Sequence, residues 1–107
     1  MIKIPIEADP NQSFPVPFEN DLIYISLKYK FSGWYMDIKY GDKSRNGIRL
    51  CSRVLLLKGL NLPFEIIIDD KGLELDPFSL NCFSDGLFDF NIFEREDMED
   101  IRGYDVR

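Results

Sequence analysis

The residues that could carry out acid–base chemistry in this chain are carboxylates, because the sequence contains no histidine. Histidine is the usual general base near neutral pH, so a nucleophilic serine or cysteine would depend on lysine or a carboxylate for activation. Asp69 and Asp70 are adjacent, and Asp97 is followed closely by Asp100. Either pair has the chemistry of a hard-cation site or of a glycosidase. Such residues more often form turns and face solvent, and we assign no catalytic residue.

The two cysteines do not indicate a chemical site. Cys51 and Cys82 have no partner at the spacing of a zinc site, and neither lies in a nucleophile motif. A reducing compartment accounts for two unpaired thiols, which we expect here. Gly41 and Gly47 are too far apart to cradle a phosphate. The sequence therefore predicts no metal, no cofactor and no enzymatic activity, which leaves binding as the function.

Charge and hydropathy narrow the class of partner. The 107 residues carry a net charge of −6, and the 13 lysines and arginines are scattered along the chain. Binding to a phosphate backbone needs clustered basic residues, so we expect no nucleic-acid binding, despite the base-stacking chemistry of Tyr35. The longest apolar run, at 54–57, is far shorter than a membrane span of about 20 residues, and we see no signal peptide. We expect a soluble protein that is made in a cytoplasm and does not bind membranes.

The elements that position these residues are predicted to be β-strands. Apolar residues make up 45% of the chain, and its length suffices for one domain. Apolar and polar residues alternate, as on the two faces of a strand, at 2–7, 14–18, 23–31, 34–40, 64–68 and 88–92. Between them we expect loops at 41–47 and 73–85, and an irregular crossover or helical turn at 54–62. The predicted fold class is all-β: a small antiparallel β-barrel or sandwich with little helix, formed by residues 1–93.

The runs at 23–31 and 34–40 predict a hairpin. A two-residue turn at Ser32-Gly33 would place all of their apolar side chains on one face, so the turn and the pattern favour the same register. The expected pairs are Phe31 with Trp34, Tyr29 with Met36, and Leu27 with Ile38.

The N-terminal strands are predicted to lie at sheet edges. In a strand the N–H and C=O groups of residues i and i+2 point to the same side, so Pro15 and Pro17 remove two donors from one edge of the 13–18 strand. Pro5 makes the 2–7 strand an edge strand as well. An edge is where a neighbouring subunit can bind, and the candidate partner contacts are Pro10, Asn11, Gln12 and Phe14.

Residues 94–107 are predicted to form an irregular acidic C-terminal tail. They contain six acids and three arginines, with Met98, Ile101, Tyr104 and Val106 as the apolar residues. This composition is typical of a solvated segment. The alternative is an arm that orders against a neighbouring subunit.

The sequence resembles the baseplate plug proteins, small proteins of the baseplates of contractile-tailed bacteriophages. The shared opening is Ile4-Pro5-Ile6-Glu7-Ala8-Asp9-Pro10-Asn11-Gln12-Ser13-Phe14. Further matching features follow in order: Gly33-Trp34-Tyr35-Met36-Asp37-Ile38, Gly47-Ile48-Arg49-Leu50, Leu55-Leu56 and Asp76-Pro77. The resemblance covers residues 2–93, and the acidic tail lies beyond it.

This resemblance implies a virion structural protein of the tail baseplate, packed beside the central hub and the tail tube and assembled in the host cytoplasm. Its partners would be hub, tail tube or tube-initiator subunits, with multiple copies per particle and no enzymatic activity. Fold-level analogy alone does not establish a function, but an acidic, β-rich composition without catalytic motifs agrees with this one. The alternative is a free-standing β-barrel binding module, such as a small-ligand or inhibitor protein.

Overall fold

The structure is a computed structural model that describes residues 1–94 and residue 97. These residues form seven β-strands and no α-helix. The strands are β1 (Ile2–Ile4), β2 (Asn11–Phe18), β3 (Asp21–Lys30), β4 (Gly33–Tyr40), β5 (Lys43–Arg49), β6 (Glu65–Asp69) and β7 (Asp89–Phe93). The predicted acidic tail at 94–107 lies outside the described residues, apart from Glu94 and Asp97.

The strands form two antiparallel sheets that share one hydrophobic core. One sheet is the meander β2-β3-β4-β5, and the other has the order β1-β7-β6. The inner faces meet in a core whose fully buried side chains include Ile25, Leu27, Trp34, Ile66 and Phe90. The all-β prediction is therefore confirmed, and of its two architectures the sandwich fits, because the sheets do not close into a barrel.

The β3–β4 hairpin has the predicted faces but not the predicted register. Tyr29 pairs with Trp34 and Leu27 with Met36, so the predicted pairing is wrong by two residues. The turn residues are Phe31 and Ser32, with φ of 52° and 59°, which is the type I′ geometry that matches the twist of paired strands. Gly33 pairs with Lys30 at the start of β4, and the Arg49 guanidinium lies over it, where an added Cβ would be 3.3 Å from a guanidinium nitrogen. A shift of two residues preserves which side chains face the core.

The prediction of a loop at 41–47 is also wrong, because most of this segment belongs to strand β5. The turn to β5 is confined to Gly41 and Asp42, since Tyr40 already pairs with Lys43. The register then shifts between Met36 and Ile38 in a bulge, where the N–H of Gly47 donates to Oδ1 of Asp37 at 2.7 Å. Gly47 adopts a φ of 69°, the conformation that such a bulge requires and that glycine adopts at low cost. Residue types that usually form turns therefore lie in a bulged strand here.

The second sheet is buried on both faces, whereas an alternating strand pattern predicts burial of one face only. Phe90 and Ile92 of β7 face the core, as expected, but Asn91 and Phe93 on the opposite face are also buried. In β6 the same is true of Ile67. The crossover between β5 and β6 is irregular, as predicted for residues 54–62, and the long loop predicted at 73–85 contains no strand.

Two further observations concern the described part of the chain. No disulfide joins Cys51, which is half-buried, to Cys82, which is buried. No helix there has the length and apolar character needed to cross a membrane.

Candidate partner-binding site

The two lateral sides of the sandwich differ, and one of them is covered by the chain itself. On that side the crossover after β5 runs along the edge of β6, where the N–H of Arg53 donates to the carbonyl of Ile68 at 2.9 Å. Side chains of β5 hold the crossover from the other sheet. Lys43 Nζ donates to the carbonyl of Asn61 at 2.7 Å, and Arg45 donates to that of Lys58 at 3.1 Å. The crossover therefore covers the edge of β6 on this side.

The opposite side is open, with β1 at the edge of one sheet and β2 at the edge of the other. Between them lies a groove of about 640 Å³. Its walls are largely apolar and include Ile2, Ile4, Phe14, Pro15 and Pro17. Glu7, Gln12 and Ser13 line it as well. Both N-terminal strands are thus edge strands, which confirms the prediction from their prolines.

The outer edge of β2 has few hydrogen-bond donors. The carbonyl of Pro10 accepts a hydrogen bond from the N–H of Tyr29 at 2.9 Å, so the even-numbered residues of β2 point their polar groups at β3. The odd-numbered residues point outward, and Pro15 and Pro17 contribute no N–H. The N–H of Asn11 is taken up by Oδ1 of Asp9 at 3.0 Å. Ser13 is left as the donor of this edge, which therefore pairs poorly with another strand.

The loop between β1 and β2 is held in place by Gln12. The Gln12 side chain donates from Nε2 to the carbonyls of Glu7 and Asp9 at 2.9 and 3.0 Å. Its Oε1 accepts a hydrogen bond from the N–H of Glu7 at 3.3 Å. All three of these hydrogen bonds join Gln12 to the short loop that precedes it. Sequence reasoning proposed Gln12 as a partner contact and missed this role, because a side-chain bridge within a loop leaves no periodic signal.

The four predicted contact residues lie together at the open side but differ in what they offer a partner. Pro10 and Asn11 are exposed at the start of β2, whereas Gln12 is occupied by its own loop. Phe14 is half-buried, packs against the core and forms a wall of the groove. Their contact with a partner remains a prediction.

Comparison with known proteins decides the family. The family model described as "Cyanophage baseplate Pam3 plug gp18" matches residues 1–92 of this chain. The chain belongs to this baseplate plug family. Membership indicates a structural component of a phage tail baseplate, with the virion tail as its location and other baseplate proteins as its partners. No individual curated protein matches the sequence significantly.

In this baseplate plug protein, the carboxylates that first suggested chemistry have structural environments. Asp69 Oδ1 accepts a hydrogen bond from the N–H of Lys71 at 2.9 Å, which forms the turn after β6. Asp70 is buried, with one carboxylate oxygen 3.4 Å from Nε of Arg53. Asp97 Oδ2 lies 2.5 Å from the N-terminal ammonium of Met1, and Asp100 is outside the described residues. Across residues 1–94 and 97, the structure contains no cluster of three metal-ligating side chains.

The plug protein contains one buried carboxylate that the sequence did not reveal. Glu65 begins β6, and its Oε1 accepts hydrogen bonds from the N–H groups of Leu57 and Ile66, both at 2.8 Å. Burial raises the pKa of Glu65 above its ordinary value, and these hydrogen bonds and the charge of Arg45 oppose the rise. Glu65 thereby attaches the crossover to β6 on the covered side of the sandwich. A buried glutamate within an apolar run is a signal that could have identified it.

Proposed function

We propose that this protein packs beside the central hub and the tail tube of a contractile phage tail as a plug-like component. It acts through protein–protein contact and performs no catalysis. Its neighbours are hub, tail tube or tube-initiator subunits, it is present in several copies, and it is assembled in the host cytoplasm. The match of residues 1–92 to the baseplate plug family carries this proposal.

The open side of the sandwich is the surface proposed to meet these neighbours. The groove between β1 and β2 is apolar, and an extended segment with apolar side chains fits such a groove. The outer edge of β1 is unpaired, whereas the prolines of β2 limit pairing with the opposite wall. The arrangement favours one orientation for an added strand, against β1. The Pro10-Asn11 turn lies at one end of the same side.

The alternative function, a free-standing module that binds a small ligand, has one observation in its favour. A groove of about 640 Å³ falls within the usual size of small-molecule sites. Such sites also contain a few placed polar groups, and here Gln12 is occupied by its own loop. The assembly experiment below separates the two functions.

Incorporation of variants into tails tests the proposal. Pro15→Lys combined with Pro17→Lys places two charges on the rim of the groove, at exposed positions that donate no hydrogen bond to β3. We expect the double variant to remain folded and to be absent from purified baseplates. Asn11→Lys extends the test to the turn, and its side chain is exposed.

The matched control is Ser44→Lys combined with Asn46→Lys. These residues are exposed on β5 and add the same charge away from the open side. We expect this variant to be incorporated normally. Equal incorporation of the folded groove variant and the control would show that the open side is not the contact. Absence of even the wild-type protein from purified baseplates would reject the function itself.

A further inference from the structure

The two ends of the four-stranded sheet differ in shape. In the meander β2-β3-β4-β5, the β3–β4 turn lies at one end, whereas the β2–β3 and β4–β5 turns lie at the other. We call these the one-turn end and the two-turn end. Neighbouring strands are about 5 Å apart, so the two turns of the two-turn end are separated by about 10 Å. When two copies are placed end to end, the single turn of one therefore faces the interval between the two turns of the other.

The one-turn end carries an aromatic side chain that its own chain does not bury. Phe31 is 85% exposed. Its φ of 52° is unfavourable for a bulky side chain, and type I′ turns favour asparagine and glycine instead. The loop after β6 reaches the same end, where the carbonyl of Phe78 accepts a hydrogen bond from the Tyr29 hydroxyl at 3.3 Å, but it leaves Phe31 uncovered. An exposed aromatic ring on a strained backbone is typical of a contact with another molecule.

Three basic side chains lie beside Phe31 on the outer face of the sheet. Lys30 Nζ lies 5.1 Å from the centre of the Tyr35 ring, and the Arg49 guanidinium carbon lies 5.9 Å from it. Lys28 is directly opposite Tyr35 in the register. Tyr35 is thus half-buried beneath cations and is not the exposed stacking ring that its sequence position suggested.

These three cations have no acidic partner within the described part of the chain. Most other basic side chains there bind a carboxylate or a carbonyl of the same chain: Lys3, Lys43, Arg45, Arg53 and Lys71. Within residues 1–94 and 97, the basic side chains with neither an ion pair nor a hydrogen bond are Lys28, Lys30, Lys39, Arg49 and Lys58. All of these except Lys58 face outward from the four-stranded sheet. Cations that are scattered along the sequence therefore meet on one face, although the whole chain carries a charge of −6.

Two carboxylates lie near this group, and both bind their own backbone. Asp37 follows Tyr35 on the outer face of β4, and its Oδ1 accepts a hydrogen bond from the N–H of Gly47 at 2.7 Å. Asp9 precedes β2, and its Oδ1 accepts one from the N–H of Asn11 at 3.0 Å. The one-turn end therefore keeps its basic character.

The two-turn end carries exposed carboxylates at both of its turns. Glu19 and Asp21 belong to the β2–β3 turn and Asp42 to the β4–β5 turn, and all three are exposed. Of the two lysines nearby, Lys43 donates to a carbonyl of the crossover, and Lys39 lies further into the sheet. The two ends of the sheet therefore have opposite charge.

We propose that the one-turn end of one copy binds the two-turn end of a second copy. Phe31 lies between the two acidic turns, beside the half-buried Tyr40 that ends β4. The three cations around Tyr35 lie against the three carboxylates of these turns. The buried ring supplies most of the affinity, because ion pairs at a surface contribute little, and the charges select this pairing over the pairing of like ends.

The two surfaces of this contact differ, so it is not closed by a single pair of copies. Repetition produces a ring where the rotation closes and a filament where it does not. The inference rests on the described residues of the sheet and does not depend on the place proposed for the protein in the baseplate.

Sedimentation equilibrium of the full-length protein tests this contact. We expect the mean mass to rise above the monomer value of 12.6 kDa as protein concentration increases, and to fall as salt screens the charges. Phe31→Asn should weaken association by about tenfold or more, as expected for an aromatic residue central to a contact. Asparagine tolerates the left-handed turn conformation, so this variant keeps the hairpin.

Charge reversal identifies the two halves of the contact. Lys28→Glu with Lys30→Glu should abolish association, because like charges then face each other, and so should Asp21→Lys with Asp42→Lys. All four residues are exposed, and circular dichroism checks that both variants are folded. An equimolar mixture of the two variants should associate, since each end then meets an end of opposite charge. Lys58→Glu is the control, because it reverses an exposed charge on the crossover, and it should associate like the wild type.

Three results would overturn the inference. They are a wild-type protein that stays monomeric at every concentration, association that the variants of either end leave unchanged, and a mixture of folded charge-reversed variants that stays monomeric. A protein that is monomeric in solution yet incorporated into baseplates would contradict this contact and leave the proposed function standing.

Discussion

At the scale of single residues, Phe31 is almost completely exposed and has a backbone conformation that is unfavourable for a bulky side chain. Gly33 pairs with Lys30 and so belongs to the strand, where it lies beneath the Arg49 guanidinium. The two turn residues are consequently Phe31 and Ser32, both with positive φ. Neither is a residue type that favours a type I′ turn. The stability of the isolated protein should therefore improve when Phe31 is replaced by a residue that adopts positive φ more readily.

We predict that Phe31→Asn raises the free energy of unfolding by about 1 kcal/mol, because asparagine adopts the left-handed conformation more readily than phenylalanine. Urea denaturation measures this change. Phe31→Ala is the control: it also removes the exposed ring but retains the backbone cost, so no gain is expected. A loss of stability in Phe31→Asn would mean that the ring packs within its own chain.

Glu65 provides a prediction about pH. Its folded-state pKa is raised, chiefly by burial, so the ionised carboxylate is disfavoured in the folded protein. The contribution of Glu65 to stability is therefore fully present below its unfolded pKa near 4.5 and is lost as the pH rises through the higher folded pKa. Glutamine retains an acceptor for Leu57 and Ile66 without the charge. The unfolding free energy of Glu65→Gln should increase relative to wild type as the pH is raised, and a difference that is constant with pH would contradict this.

At the scale of elements, the loop between β1 and β2 depends on one side chain. Gln12→Ala removes three hydrogen bonds to Glu7 and Asp9. We predict a loss of about 1–2 kcal/mol in stability and faster amide hydrogen exchange at Glu7. The control is Asn11→Ala, since the Asn11 side chain is exposed and its backbone N–H remains bonded to Asp9. Unchanged exchange at Glu7 in Gln12→Ala would show that the loop is held by other contacts.

The faces of the strands could be predicted from sequence, but their exact pairing could not. Alternation places Leu27, Trp34 and Met36 in the core in any register that shifts by an even number of residues. The actual register places Gly33 against Arg49, which comes from a third strand. The bulge opposite Asp37 is likewise set by a hydrogen bond across strands. The alternation of apolar and polar residues within one strand does not reveal contacts between side chains of different strands.

The edge positions of the N-terminal strands were predictable because proline chemistry is local. Pro15 and Pro17 remove donors whatever the rest of the fold does, and β2 is indeed an edge strand. The groove beside it was not predictable, because it requires that β1 join the other sheet through β7, at the far end of the sequence. The residues proposed for partner contact therefore lie on the open side of the sandwich, but the groove that they border was not predicted.

At the scale of the whole molecule, the fold separates a covered side from an open one. The crossover between β5 and β6, attached through Glu65 and Arg45, closes one side with the protein's own chain. The other side presents two strand edges and an apolar groove. Aggregation through such edges is limited by the prolines of β2, which lower the number of free donors. Among the described residues, the sandwich therefore has one lateral side that the rest of the chain does not cover.

The central claim is that this open side is where the plug protein meets its neighbours in the tail baseplate. A cryo-electron microscopy reconstruction of the intact tail tests it most directly. The account predicts a two-sheet sandwich beside the hub and tail tube, with a neighbouring subunit seated in the groove between β1 and β2. A reconstruction in which this groove faces solvent, while another surface makes the contacts, would contradict the account.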